Sequence, residues 1–137
     1  MYSLLTPVLA LIVWSLIVWL WMYATRIPAI QAAKIDPANA KHPGSLDGLP
    51  SRVRAIGDNY NHLMEQPTIF YAMVFYVVLA GHSDQIHIWL AWGYVALRVI
   101  HSLIQNTANV VLVRFTVFTL STLALAAMAV REVIALL

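Results

Sequence analysis

The chain contains no cysteine. It therefore has no disulfide framework, no thiolate nucleophile and no cysteine-held metal, and any sulfur chemistry must use a sulfur carried in by a ligand. Charge is nearly as scarce: eight Lys and Arg stand against six Asp and Glu in 137 residues, 10% of the chain, for a net charge of +2. So small a surplus does not supply the concentrated basic patch that nucleic-acid binding needs. What is abundant is apolar. Hydrophobic residues make up 61% of the chain and the mean hydropathy is +0.76, against roughly half apolar and about a quarter charged in soluble domains. The composition is that of an integral membrane protein in contact with a lipid bilayer, and the length leaves room for one domain, residues 1–137.

Four segments approach the ~20 apolar residues that a bilayer core requires. With their polar flanks they predict helices over about 3–25, 52–81, 86–105 and 111–135. A spanning segment must satisfy its own backbone hydrogen bonds, and these segments lack the alternation of a barrel strand. The fold class expected is all-α, a bundle of four transmembrane helices. The first segment is longer than the ~7–15 residues of a signal-peptide core and has no basic run before it, so it reads as a retained span. No lipidation or retention motif is visible at either end. Residues 27–51 carry four Pro and two Gly and read as a true loop. GHSDQ and NTAN are short links, which favour antiparallel neighbours.

Basic residues orient the bundle. Arg26, Lys34, Lys41, Arg52 and Arg54 border or occupy the long loop, and Arg114 follows the NTAN link, whereas the 81–85 turn has no Lys or Arg. The excess of Lys and Arg predicts a cytoplasmic loop 27–51 and both termini outside, Arg131 being a mild dissent. Lack of targeting signals and the compact length point to a bacterial inner membrane.

The chemistry sits in two stripes. Arg54, Asp58, His62 and Glu65 follow one another at intervals of four, four and three, with Asn61 beside them, and Arg98, His101 and Gln105 at three and four. Helical residues three or four apart share a face. Both stripes, with Arg114, fall at the cytoplasmic ends of their helices. A charge near the centre of a membrane helix costs about 2.5–3.5 kcal/mol even on mild scales, so these groups are expected to converge on a hydrated pocket. Pro67 removes the helical partner of the Leu63 carbonyl and predicts a kink beside Glu65. The plainer alternative is a structural network in which Glu65 and Arg98 neutralise each other. His82 and His87 read as interfacial, two His making a poor metal site, and no metal is expected. The five Trp read as belt, packing or lipid-facing residues.

The run RAIGDNYNHLMEQP in the second helix and ALRVIHSLIQNTANVVLVRF across the third and fourth resemble the MAPEG superfamily, membrane-associated proteins of eicosanoid and glutathione metabolism. The resemblance covers essentially the whole chain. It is most specific in an Arg-x-x-His with a further Arg thirteen residues past the His, here Arg98, His101 and Arg114. It implies a homotrimer with glutathione, as co-substrate, between subunits near the cytosolic face. Arg114 would be the catalytic cation beside the sulfur, since a permanent cation stabilises a thiolate. Arg26, Arg54 and Arg98 would serve the tripeptide's carboxylates, and Glu65 its ammonium or the orientation of Arg98. Asn61, His62, His101 and Gln105 would complete the binding set. The second substrate would be a lipophilic small molecule, an electrophile conjugated to the thiol or a peroxide reduced by it. Four features depart from the family pattern: His62 stands at the usual Asn, Asp58 at the usual Arg, Gln105 at a Tyr that helps hold glutathione in several members, and Pro67 follows Glu65 by two residues where the gap is more often wider. These substitutions motivate a rival reading, a non-catalytic membrane subunit or lipid-binding protein that keeps the fold.

Overall fold

The computed structural model describes residues 2–32 and 50–137. Its elements are α1 (Tyr2–Ala32), α2 (Ser51–Leu79), α3 (Gln85–Asn106) and α4 (Val111–Leu136), with no strand among the described residues. Helix α1 runs on to Ala32, past the expected end near residue 25, and carries Pro28 inside it. Residues 33–49 of the expected loop 27–51 lie outside the described residues.

Among the described residues, α1, α3 and α4 are long and apolar enough to cross a membrane. The 22 residues of α3 extend about 33 Å at 1.5 Å per residue, close to the ~30 Å hydrocarbon core. Helix α2 does not meet that measure, because polar residues occupy its first half. It continues as one helix through Pro67. Near that point the Thr68 hydroxyl donates to the Glu65 carbonyl at 2.6 Å.

One apolar core joins all four helices: Leu4, Leu11 and Val18 from α1, Leu63, Phe70 and Val74 from α2, Tyr94 and Val95 from α3, and Leu125 and Met128 from α4. Phe70 and Tyr94 stack at 4.3 Å between ring centroids, pinning α2 to α3. Burial on one side leaves large apolar side chains such as Leu112, Phe115, Leu123 and Ile134 exposed on α4. In water such a face would be a liability; against acyl chains it is the required surface. The α4 threonines Thr116, Thr119 and Thr122 return their hydroxyls to carbonyls one turn back, so they need no water.

The ends of the helices are fixed by local chemistry. Gly81 has φ 76°, the left-handed conformation that glycine adopts without strain. Its N–H donates to Val78 O at 3.1 Å and that of His82 to Val77 O at 3.0 Å, closing α2 in a Schellman motif. Two residues on, the Asp84 carboxylate accepts from the His87 N–H at 2.8 Å and caps α3. At the other link, Asn109 takes φ 50°, a conformation Asn tolerates better than most residues.

Candidate functional site

The first half of α2, the last half of α3 and the start of α4 come together, and the polar residues singled out from the sequence divide there into three groups. The first lines a cavity. His62, His101 and Arg114 form its polar wall, and Val111, Phe115 and Phe118 its apolar one, around a volume of about 240 Å³. The two imidazoles meet edge to face at 6.1 Å, and His101 lies 6.0 Å from the Phe118 ring. Arg114 is held by the link that precedes it: its Nη1 donates to Asn109 Oδ1 at 2.7 Å. The cavity therefore joins a fixed cation to an aromatic wall.

The second group is buried behind the cavity. Arg98 has no exposed surface, and its one hydrogen bond among the described residues, from Nη2 to the His62 carbonyl, is long at 3.4 Å. Its Cζ lies 5.6 Å from the Phe118 ring centroid, a cation–π distance. Nε and Nη1 of Arg98, Nδ1 of His101 and Oε1 of Gln105 are buried with no partner among the described residues. Buried polar atoms are normally paired, and a buried charge is costly without compensation. Four orphaned atoms along one face of α3 mark a place where further polar atoms belong.

The third group faces outward. Arg54, Asp58, Asn61 and Glu65 are exposed on α2. Glu65 makes no ion pair with Arg98 among the described residues: its side chain is 69% exposed, with Oε2 3.7 Å from His62 Nδ1. The direct Glu65–Arg98 ion pair expected of a structural network is therefore not formed among the described residues. Arg26, near the end of α1, lies against Gly57, where an added Cβ would sit 3.3 Å from Arg26 Cζ and closer still to Nη2. Its Nε is buried without a partner among the described residues.

Sequence reasoning missed several polar residues that tie this end together. Asn59, fully buried, donates from Nδ2 to Asn106 Oδ1 and accepts from the Ser102 hydroxyl, both at 3.1 Å. Deeper in, Tyr94 donates to Gln66 Oε1 at 3.2 Å, and Gln66 Nε2 donates to Thr122 at 2.9 Å. Asn59 and Gln66 each neighbour a residue that the stripe pattern had singled out. Periodicity fixes which residues share a face, and only packing fixes which face turns inward.

A second polar cluster lies at the far end of the bundle, where residues read as merely interfacial meet α4. Glu132, 5% exposed, accepts from His82 Nδ1 at 2.6 Å and His87 Nε2 at 2.9 Å. Arg131 donates from Nη1 and Nη2 to the two Asp84 oxygens at 3.1 and 2.8 Å. The Arg131 guanidinium and the His87 N–H hold the Asp84 carboxyl down at about 2. No group of three or more His, Cys, Asp or Glu that could hold a metal ion occurs among the described residues.

A family model described as the MAPEG family matches residues 4–134 of the chain. No curated protein and no solved structure gives a match.

Proposed function

The chain belongs to the MAPEG family, and from that premise we propose that it binds glutathione or a related thiol at the His62–His101–Arg114 cavity and activates the sulfur. The carrying observation is that Arg114, fixed by Asn109 at 2.7 Å, lines a cavity whose other wall is aromatic. A thiol of ordinary pKa near ~8.5 is mostly protonated at neutral pH. An adjacent guanidinium favours the thiolate, which is the nucleophile. Val111, Phe115 and Phe118 give a lipophilic electrophile or peroxide a place beside that sulfur. Conjugation forms a carbon–sulfur bond at the electrophile and expels its leaving group or protonates the adduct. With a peroxide, the thiolate takes one oxygen to become a sulfenic acid and the other leaves as the alcohol; a second thiol then displaces water to close the disulfide.

The site is completed by another copy of the chain. A cavity of about 240 Å³ falls below the ~300–1,000 Å³ of pockets that enclose drug-sized ligands. The exposed polar stripe Arg54, Asp58, Asn61 and Glu65 would be costly against lipid and needs a covering surface. A homotrimer with glutathione between copies meets both requirements. Arg26, Arg54 and Arg98 then answer the tripeptide's carboxylates and Glu65 its ammonium, with Asn61, His101 and Gln105 supplying hydrogen bonds. We read the Lys and Arg distribution as favouring this end of the bundle on the cytoplasmic side and the termini outside, and the compact length as favouring a bacterial inner membrane.

A thermal-shift titration of the purified protein with glutathione tests the proposal. Binding to the native state alone raises stability by about 2.7 kcal/mol at a hundredfold excess over Kd. Absence of any shift at saturating thiol would favour the non-catalytic subunit instead.

A further inference from the structure

A thiol that becomes a thiolate must give its proton to another group. Arg114 cannot take it, since a guanidinium is already protonated and does not exchange. Two groups on the cavity wall can, His62 and His101, because an imidazole both takes up and returns a proton. The two are set differently. The His62 carbonyl accepts from Arg98 Nη2 at 3.4 Å, and His62 Nδ1 lies 3.7 Å from Glu65 Oε2. With Nδ1 turned to a carboxylate, Nε2 is the ring nitrogen left for a ligand. Glu65 also faces the positive charge that the ring carries while it holds a proton, and its second oxygen remains for the tripeptide's ammonium. The His101 ring, 6.1 Å away, has no carboxylate in ion-pair reach among the described residues. The other charges acting at this wall are Arg98 on α3 and Arg114 on α4.

The two kinds of second substrate differ in what they ask of a proton carrier. A halide leaves an aryl electrophile as a stable anion and needs no proton. The oxygen that leaves an alkyl hydroperoxide is an alkoxide, a strong base that departs readily only when protonated. Given a thiol bound beside Arg114, which is the function proposed for this cavity, the geometry points to His62 as the proton carrier of a peroxide reaction, with organic hydroperoxides as the second substrate. His62 takes the thiol proton. The thiolate attacks the terminal peroxide oxygen, so that an S–O bond forms as the O–O bond breaks. The sulfur is oxidised to a sulfenic acid and the peroxide is reduced. His62 returns its proton to the departing oxygen, which leaves as the alcohol. A second thiol then displaces water from the sulfenic acid to give the disulfide. Val111, Phe115 and Phe118 form the wall that takes the carbon chain of the hydroperoxide.

Steady-state turnover by the purified full-length protein tests this, with glutathione and either cumene hydroperoxide or chlorodinitrobenzene. His62→Asn keeps a compact polar side chain that cannot carry a proton. It should lower kcat for the hydroperoxide about a hundredfold more than kcat for chlorodinitrobenzene, the worth of one general acid. A His62 that only held the thiol would instead raise KM for glutathione and slow both reactions by the same factor. A melting curve checks that the variant folds, and His62→Gln carries the same test should it not. Equal loss of both activities, or hydroperoxide turnover kept in the variant, overturns the inference and leaves Arg114 and the thiol site standing. Conjugation without hydroperoxide reduction by wild type overturns it as well. Turnover of neither substrate by wild type does so too, and if glutathione also gives no thermal shift, the thiol site itself falls first.

Discussion

Asn109 holds Arg114 by a single hydrogen bond of 2.7 Å, and does so from a backbone at φ 50°. The bend that ends one helix thus aims the cation that begins the next. Asn109 is a positioning residue and touches the cavity only through Arg114.

Replacing it separates the backbone from the side chain. Asn109→Gly keeps the left-handed conformation at little cost and removes the acceptor. Its melting temperature should stay near wild type while thiol-dependent turnover falls about tenfold, the worth of one charge-assisted bond. A pH–rate profile supplies the readout that a purely structural role would not move: the limb set by thiol ionisation should shift to higher pH. Asn109→Asp, which retains an acceptor, should restore most of the activity.

Arg98 is a buried charge with two orphaned nitrogens. Replacing a poorly compensated buried charge with an apolar side chain of similar length is often neutral or stabilising. Arg98→Met should therefore fold with unchanged or higher stability without ligand and lose the glutathione-dependent thermal shift. Calorimetry of the ligand-free and ligand-bound variant measures both. A large loss of stability without ligand would assign Arg98 a structural role.

Gly57 and Arg26 give a cleaner separation of affinity from folding. An added Cβ collides with the tip of the flexible Arg26 side chain, not with backbone. In a helix interior Ala is favoured over Gly by about 0.8–1.0 kcal/mol. Gly57→Ala should leave thermal stability equal or raised while weakening glutathione binding, because Arg26 must move. Isothermal titration beside a melting curve tests both halves of that statement.

The Asp84–Arg131 pair sets an acid limb. The folded carboxyl lies at about 2 against an ordinary value of 3.8. A depressed acid contributes stability that is present above its unfolded value and lost as the pH falls through the folded one. Melting temperature should therefore decline between about 4 and 2 in wild type. In Asp84→Asn, which keeps the cap of α3 but loses the charge pair with Arg131, it should start slightly lower and decline less over that interval. The effect is modest, since the Asp84 side chain is 44% exposed and screened by solvent.

Much of this was legible in the sequence. The four helices follow from apolar length and from the Gly, Pro and Asn that punctuate them. The inward face of α3 follows from the spacing of Arg98, His101 and Gln105, all three buried. The orientation of α2 was not legible. Its stripe shares a face as expected, yet Arg54, Asp58, Asn61 and Glu65 turn outward while Asn59, one position from Asp58, is buried. A helical period is indifferent to which side of the helix the bundle will bury. The His82–Glu132–His87 cluster was hidden for a different reason: its partners are 45 and 50 residues apart, and only the packing of α4 on α3 brings them together.

The central claim is that Arg114 stabilises a bound thiolate. Its most direct measurement is the ultraviolet thiolate absorbance of glutathione bound to the protein, titrated against pH in wild type and in Arg114→Ala. The claim predicts a bound thiol in wild type that ionises well below the ~8.5 of a free thiol, and a return to that value in the variant with the oligomer intact. Turnover in Arg114→Ala should fall by about a hundredfold or more, as on loss of one preorganised donor at a reacting atom. The same midpoint in both proteins would contradict it.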